Sequence, residues 1–449
     1  MRFAQKQCST SLAMRLFLLI ATLLAGTAAL AGGKLPCRDA RVFSQANLNA
    51  LILPYRYSDE RTGPTEQTVG ARLASLIQQE TLFSMLKYAS VGATELVSHD
   101  GTLCDVNEVI RRVTRDINTG SVLPGKGLAV LWGRIYQDGS NIYVQSYIRF
   151  LVRGADSVFN ITLRTNGEPI TFEVAIPSQG VALAPRRVES RDFEQIESRA
   201  AETLVLRVEP DERAKTRPYS QYPHEPLTYS VVDQKGDWMR IQSQLTGREG
   251  WVRARNEDES WGLRQFLPEL AYLDGVLAYL RIRIDPIPER NSSDYAEAQE
   301  AVAKLFAWYE QDVGVDAARD AVGLSRAILG QMRWIQSRNG RESADAQMAA
   351  KLFQEARSII PDSSEARNLA AITSPWLKND GMLTRESIAE INDGLLGAIA
   401  VDGQNQLALR NLEKLYRYLK TQTALSPYDG VVLDERLSIV KQALAARKQ

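Results

Sequence analysis

Histidine is nearly absent from this chain, with His99 and His224 the two representatives among 449 residues. That excludes a histidine-rich metal site, and no H-E-x-x-H helix motif occurs. Cysteine is scarce at three residues, too few for a disulfide-dense scaffold or a cysteine-rich zinc module. An excess of either charge is also missing: 54 basic residues balance 54 acidic ones. No global field therefore draws nucleic acid or an anionic membrane. The amino-terminal apolar run, Leu16 to Leu24, is interrupted by Gly26 and Thr27, short of the roughly 20 apolar residues a membrane span requires.

Nucleotide and acyl-transfer signatures are lacking too. No G-x-x-x-x-G-K-[ST] loop is present, and Leu123-Pro-Gly125-Lys-Gly127 has neither its spacing nor its hydroxyl. There is no G-x-S-x-G elbow. Ser84-Met-Leu-Lys87 fits S-x-x-K, but Lys215-Thr216 is followed by Arg217 rather than the glycine of a K-T-G strand, and no S-D-N-like element stands nearby. The expectation is a protein with no active site and no cofactor. The rival is an enzyme of cell-wall turnover, or an activator of one.

What is present is 44% apolar and 24% charged residues, enough for two to four globular domains. Arg15, the apolar run and then Ala29-Leu30-Ala31 predict a cleaved secretory signal over residues 1–31 and a periplasmic or secreted bacterial protein. No cysteine directly follows that site, which argues against a lipid anchor. Loss of Cys8 leaves Cys37 and Cys104. A disulfide between them would close a loop of about 67 residues and contribute about 4 kcal/mol. The competing role for Cys104, a nucleophile served by His99, needs a geometry that the polar Ser-His-Asp-Gly-Thr turn supports poorly.

Three segments follow, predicting a multidomain chain. Residues 34–202 read as α+β. A strand over Leu48–Leu53 ends at Pro54, and Val69, Leu73, Leu76, Ile77 and Phe83 space a helix that begins at Thr68. Two alternating runs, 127–136 and 141–150, flank Asp138-Gly139 and predict a hairpin. A two-residue turn there sets Ile135 against Ile142, Gly133 against Val144 and Ala129 against Ile148. Trp132, Arg134, Tyr143, Tyr147 and Arg149 then share the reverse face, either covered by a neighbouring layer or open to grip a partner. A second hairpin, 158–163 with 170–176, turns near Asn166-Gly167.

Residues 203–258 read as a small all-β unit. Tyr229-Ser-Val-Val-Asp-Gln-Lys-Gly236-Asp-Trp238-Met-Arg-Ile241, followed by Gly247-Arg-Glu-Gly250-Trp251-Val252, resembles a bacterial SH3 domain. The resemblance implies a small barrel used for attachment to a cell-wall peptide or an envelope protein. Trp238 and Trp251 hold the family's usual aromatic positions, where core or barrel-closing roles are commoner than ligand binding, and both stay among the candidate binding residues. Tyr219, Tyr222 and Tyr229 are the candidate contact residues around a loop from Glu209 to Glu225. The first segment is similar to the amino-terminal domain of TolB translocation proteins and to curli-transport lipoproteins, through Val69-Gly70-Ala-Arg-Leu73 and Leu131-Trp-Gly133-Arg-Ile135. That likeness implies assembly or partner binding in the envelope.

Residues 261–449 read as all helical. Val302, Leu305, Phe306 and Tyr309 stripe one helix. Ala349, Phe353, Ala356 and Pro361 resemble the second helix of a tetratricopeptide repeat, and Ile391, Leu395 and Ala398 form a looser copy. An ordinary bundle suits the same spacings. The repeat reading needs an insertion around Pro375-Trp376, and Gly323, Gly330 and Gly397 weaken the helices that contain them. The combined expectation is an exported scaffold that tethers partners, with no membrane span after signal cleavage.

Overall fold

The computed structural model describes residues 48–52, 55–57, 73, 77, 94–98, 127–138, 141–152, 158–177, 180–188, 205–218, 228–235, 238–243, 247–253, 268–284 and 292–446. The proposed signal, Cys37, Cys104, His99, His224, Ser84, Lys87, Tyr219 and Tyr222 lie outside them. Strands dominate the described chain up to Arg253, with helical Leu73 and Ile77 among them, and helices occupy it from Glu269 onward. Strands and helices are thus largely segregated along the chain, a mixed layout.

The strands are β1 (Leu48–Ile52), β2 (Arg56–Tyr57), β3 (Thr94–Ser98), β4 (Gly127–Asp138), β5 (Asn141–Val152), β6 (Val158–Leu163), β7 (Ile170–Ala175), β8 (Val181–Ala182), β9 (Arg186–Val188), β10 (Val205–Arg207), β11 (Thr216–Pro218), β12 (Thr228–Lys235), β13 (Trp238–Ser243) and β14 (Glu249–Arg253). Twelve of them form one sheet in the order β11-β10-β14-β13-β12-β3-β1-β4-β5-β8, with β2 beside β4 and β9 beside β5. β1 runs parallel to both β3 and β4. Parallel neighbours need a crossover connection, and helical Leu73 and Ile77, both buried, lie on the chain between β2 and β3.

The described strands of residues 203–258 do not by themselves show the expected barrel. Among the described residues they make an open row, and β12 continues it into the rest of the sheet by pairing Tyr229 with Leu96 and Ser230 with Glu95 of β3. Alternation in sequence reveals strands, but which edges meet is decided by available partners. An eight-residue β12 left unpaired on one side would expose a row of amides and carbonyls.

The β4–β5 hairpin forms with a register two residues from the expected one. Asp138 pairs with Asn141, Ile135 with Val144, Gly133 with Ser146 and Ala129 with Phe150. Asp138 is therefore the last strand residue, and residues 139 and 140 make the connection. Because the displacement is even, every side chain keeps its predicted face. Ala129, Leu131, Ile135, Val144, Ile148 and Phe150 are buried on one side.

Eight helices are described: α1 (Glu269–Ile284), α2 (Ser292–Val313), α3 (Arg319–Gln336), α4 (Ser343–Ile359), α5 (Ser364–Lys378), α6 (Arg385–Val401), α7 (Gln406–Thr421) and α8 (Gly430–Ala445). Each packs on the next, and α1 also packs on β1, β4 and β5. α1 is buried on all sides from Glu269 to Arg281, as a helix sandwiched between layers must be. Its Tyr279 meets Phe150 edge-on, with centroids 6.1 Å apart. Val302, Leu305, Phe306 and Tyr309 form the buried stripe of α2.

The expected helix breakers turn out to be packing devices. A Cβ on Gly330 would come within 2.6 Å of the Phe353 ring, so glycine there lets α3 and α4 approach. Pro375 lies inside α5 rather than in an insertion. It cannot donate to Ala371, and Ser374 Oγ supplies that carbonyl with a hydrogen bond of 3.1 Å instead.

Among the described strands, the β6–β7 hairpin stands apart as a two-stranded sheet. Phe159, Ile161, Leu163, Ile170, Phe172 and Val174 fill its buried face, and α5 and α7 pack against it. Its edges end on groups of the helical region. Arg164 exchanges backbone hydrogen bonds with Gly381 and Leu383, each 2.8 Å. Asn411 accepts from Glu173 N at 3.0 Å and donates to Glu173 O at 2.6 Å. Trp334 Nε1 donates to Asn160 O at 2.8 Å.

Candidate binding face

The β4–β5 hairpin carries its polar and aromatic residues in three cross-strand rows on the side opposite the core. Trp132 stacks on Tyr147 with centroids 5.7 Å apart and planes 13° apart. Arg134 faces Gln145 and donates Nε at 2.9 Å and Nη2 at 2.6 Å to its Oε1. Tyr136 stacks on Tyr143 at 5.2 Å and 11°. The Arg134 guanidinium also lies 5.3 Å from the Tyr136 ring centre, and Tyr147 OH donates to the same Gln145 oxygen at 3.0 Å. Stacked aromatic pairs add about 0.5–1.5 kcal/mol each beyond their buried area. The ladder is thus rigid before any partner arrives.

This face is basic. Arg149 opposes Val130 and Arg187 of β9 opposes Tyr143, so three arginines stand among four rings. Arg134 and Arg187 are exposed, whereas Trp132, Tyr143, Tyr147 and Arg149 are half-buried. Arg149 Nε is buried with no hydrogen-bond partner among the described residues. Among the described residues, no ion pair is made by any of the three guanidiniums.

Gly133 and Tyr55 hold the ladder from behind. The Tyr55 ring occupies the space a Cβ on Gly133 would fill, 2.0 Å from that position. Its hydroxyl shares a hydrogen bond of 2.8 Å with Ser146 Oγ, opposite Gly133. The Gly133 that supports the TolB-like resemblance therefore has a packing reason to be glycine.

Trp238 and Trp251 occupy a different place from the one expected. The core positions of β13 and β14 are Met239, Ile241, Gly250 and Val252, all buried, while both tryptophans alternate with them and are half-buried on the outward side. Arg240 opposes Trp251, Arg253 opposes Trp238 and Arg207 opposes Trp251. The Arg207 guanidinium lies 5.8 Å from the Trp238 ring centre. Period-two alternation was enough to separate the two faces, but an aromatic residue in a small barrel pattern reads as core by default. Tyr229 is described through its backbone, paired with Leu96 and Ser243.

A buried polar centre escaped sequence reasoning. Glu269 opens α1 with its carboxyl buried, and neither oxygen has a hydrogen-bond partner among the described residues. Burial pushes its pKa up to about 8, opposed by its own backbone amide and by Arg186, and aided by Asp312. Arg186 and Asp312 pair at 2.7 Å, while Tyr309 OH accepts from Ala184 N at 2.9 Å. A glutamate at a helix start reads as an ordinary dipole partner, so its burial had no signal in the sequence.

An open cleft of about 600 Å³ lies among α4, α5 and α6. Its rim is largely self-paired, with Lys378 on Glu390 and Arg367 Nε donating to Pro361 O at 2.6 Å. No described trio of His, Cys, Asp or Glu side chains could hold a metal ion, and no described helix is long and apolar enough to cross a membrane. Comparison with family models, with curated proteins and with solved structures gives no match.

Proposed function

We propose that this chain is an exported, non-catalytic binding and scaffold protein of the bacterial envelope, docking through the outward face of its sheet. The observation that carries this reading is the aromatic ladder with Arg134, Arg149 and Arg187 beside it, none of them ion-paired among the described residues. Tryptophan, tyrosine and arginine are the residues that dominate interface energetics. Residues 203–258 keep their SH3-like reading, as an attachment module joined to the sheet through β12. Residues 261–449 keep their tetratricopeptide-like reading.

The hairpin contacts narrow what the helical region can recruit. Ile161, Leu163, Phe172 and Val174 are fully buried, and each such side chain stabilises by roughly 1.5–3 kcal/mol. Releasing them together would cost about as much as a whole domain's stability of roughly 5–15 kcal/mol. The helix face under β6–β7 is therefore permanently filled, and a second protein would have to use another.

The test is co-sedimentation of the mature protein with insoluble peptidoglycan. Wild type is expected in the pellet, and Trp132→Ala with Tyr147→Ala in the supernatant with an unchanged circular dichroism spectrum. Wild type left in the supernatant would end the wall-binding reading. Muropeptide release by the purified chain would instead favour the turnover enzyme.

A further inference from the structure

The cleft among α4, α5 and α6 opens on the side of α5 turned away from the sealed hairpin. On the hairpin side, Asn368 takes a hydrogen bond of 3.3 Å from Asn411, the residue that grips β7, and the Arg164 guanidinium lies 4.9 Å from the Trp376 ring centre. Arg367, Ala370, Ala371, Ser374 and Lys378 follow each other at helical spacing along the opposite side and line the cleft. Gln354 Nε2 of α4 donates to Ala370 O at 2.8 Å. α4 and α5 are antiparallel neighbours joined by residues 360–363, so Arg357, three residues on, stands level with Arg367, three residues back. Arg357 is exposed and makes no hydrogen bond or ion pair among the described residues. Arg367 spends Nε on Pro361 O at 2.6 Å, and its Nη1 lies over Gly397, 3.3 Å from where a Cβ would stand. At the other end Lys378 is paired with Glu390, and Asp393 is exposed.

Resting on the scaffold reading above, in which the helical region recruits a second protein, we propose that this cleft binds an extended segment of a partner protein and takes one of its acidic side chains between Arg357 and Arg367. A carboxylate is the group that a guanidinium matches best, through paired charge-assisted hydrogen bonds. From Arg367 to Lys378 the cleft runs about 16 Å at roughly 1.5 Å per helical residue, the length of about five extended residues. The floor suits a main chain because it is built from small residues. A Cβ on Gly394 would come within 2.4 Å of the Ala371 Cβ, so glycine there lets α6 close against α5 and leaves nothing standing above them. The charge of the lining selects against a polyanion. Three cations face two anions, and one cation is already paired, so a run of phosphates would meet Asp393 and Glu390 beyond the two arginines. A short acidic segment meets the arginines alone.

The probe is an immobilised library of peptides of about five residues, randomised at every position and exposed to the full mature chain. Wild type should retain peptides enriched in Asp or Glu. Arg357→Glu changes an exposed side chain with no partner to lose. It should weaken binding of the best retained peptide at least ~10-fold with an unchanged melting temperature. Adding Arg367→Glu should turn the selection toward Lys and Arg. Arg385→Glu, the same charge change at an exposed site outside the cleft, should alter neither result. No retained peptide, a retained set without acidic enrichment, or Arg357→Glu binding as tightly as wild type would overturn the proposal. So would displacement of the peptide by single-stranded DNA at equal concentration. Wall sedimentation of the same samples separates the failures. If it persists while peptide selection fails, the cleft assignment falls and the wall reading stands; if selection holds without sedimentation, the wall reading falls and the cleft stands.

Discussion

Two hairpins of this chain begin from nearly the same sequence signal and end in opposite situations. β4–β5 and β6–β7 each alternate apolar and polar residues around a turn. β4–β5 joins a twelve-stranded sheet and keeps an outward face of rings and guanidiniums. β6–β7 pairs with no other described strand, and helical groups take its buried face and its edges. A two-stranded ribbon is marginal in water by itself, so β6–β7 depends on that sealing. What separates them is the polar side. Thr162 and Thr171 on β6–β7 bond to each other at 3.0 Å, and the Glu173 carboxylate is taken up by Arg410 and Lys414 of the helical region, each 3.9 Å away. On β4–β5 the same side carries groups that exceed structural need.

The sharpest way to break the contrast is to hollow the sealed hairpin. Phe172→Ala should cost about 3–5 kcal/mol, read as a lower urea midpoint, whereas truncations on the outward face of β4–β5 should not approach that. A loss below about 1 kcal/mol would mean that the hairpin is not part of the core.

The joint between sheet and helices should respond to pH through Glu269. Its folded pKa of about 8 lies above the ordinary value of 4.5. The neutral form is favoured in the folded state, so its stabilising contribution is complete below about pH 4.5 and declines as pH rises toward 8. The decline approaches ~1.4 kcal/mol per pH unit in that window. Glu269→Gln should flatten the stability–pH profile, with little effect at pH 4.5 and a higher melting temperature than wild type at pH 8. Parallel profiles would show that the carboxyl is not held neutral.

Smaller effects sharpen the comparison further. Gly133→Ala drives a methyl into the Tyr55 ring and should cost about 1–3 kcal/mol, as overpacking does. Adding Tyr55→Ala should restore part of that loss, as a double-mutant cycle would report. Asn411→Ala removes two hydrogen bonds to the Glu173 backbone and should cost about 1–3 kcal/mol by the same urea assay. Smallest in stability is Trp132→Ala with Tyr147→Ala, about 1 kcal/mol, although it should abolish wall binding. A large destabilisation there would identify the ladder as structural and remove the functional argument.

Much of this was legible in residues. The faces of β4–β5 and the stripe of Val302, Leu305, Phe306 and Tyr309 follow from periodicity, which is local. The stacking of Trp132 on Tyr147 could be read as soon as the register was known, and the predicted register missed it by two residues because Asp138-Gly139 is a turn signal that Asp138 did not serve. Pro375 and Gly330 misled because their costs within a helix are visible in sequence, whereas the hydroxyl of Ser374 and the ring of Phe353 that answer them come from packing.

The sequence by itself determined the longer alternating strands and the helical character of residues 261–449, which side of those strands is apolar, and that histidine and cysteine chemistry is scarce, but not the short strands β2, β3, β8, β9 and β11. Those properties depend on neighbours within a turn or two of chain. Only the tertiary structure decided that β12 pairs with β3, that β6–β7 docks on the helices, and that Glu269 is buried. Each of those depends on which edges and faces find partners far away in the chain, a competition among unpaired backbone and exposed apolar area that no local pattern records.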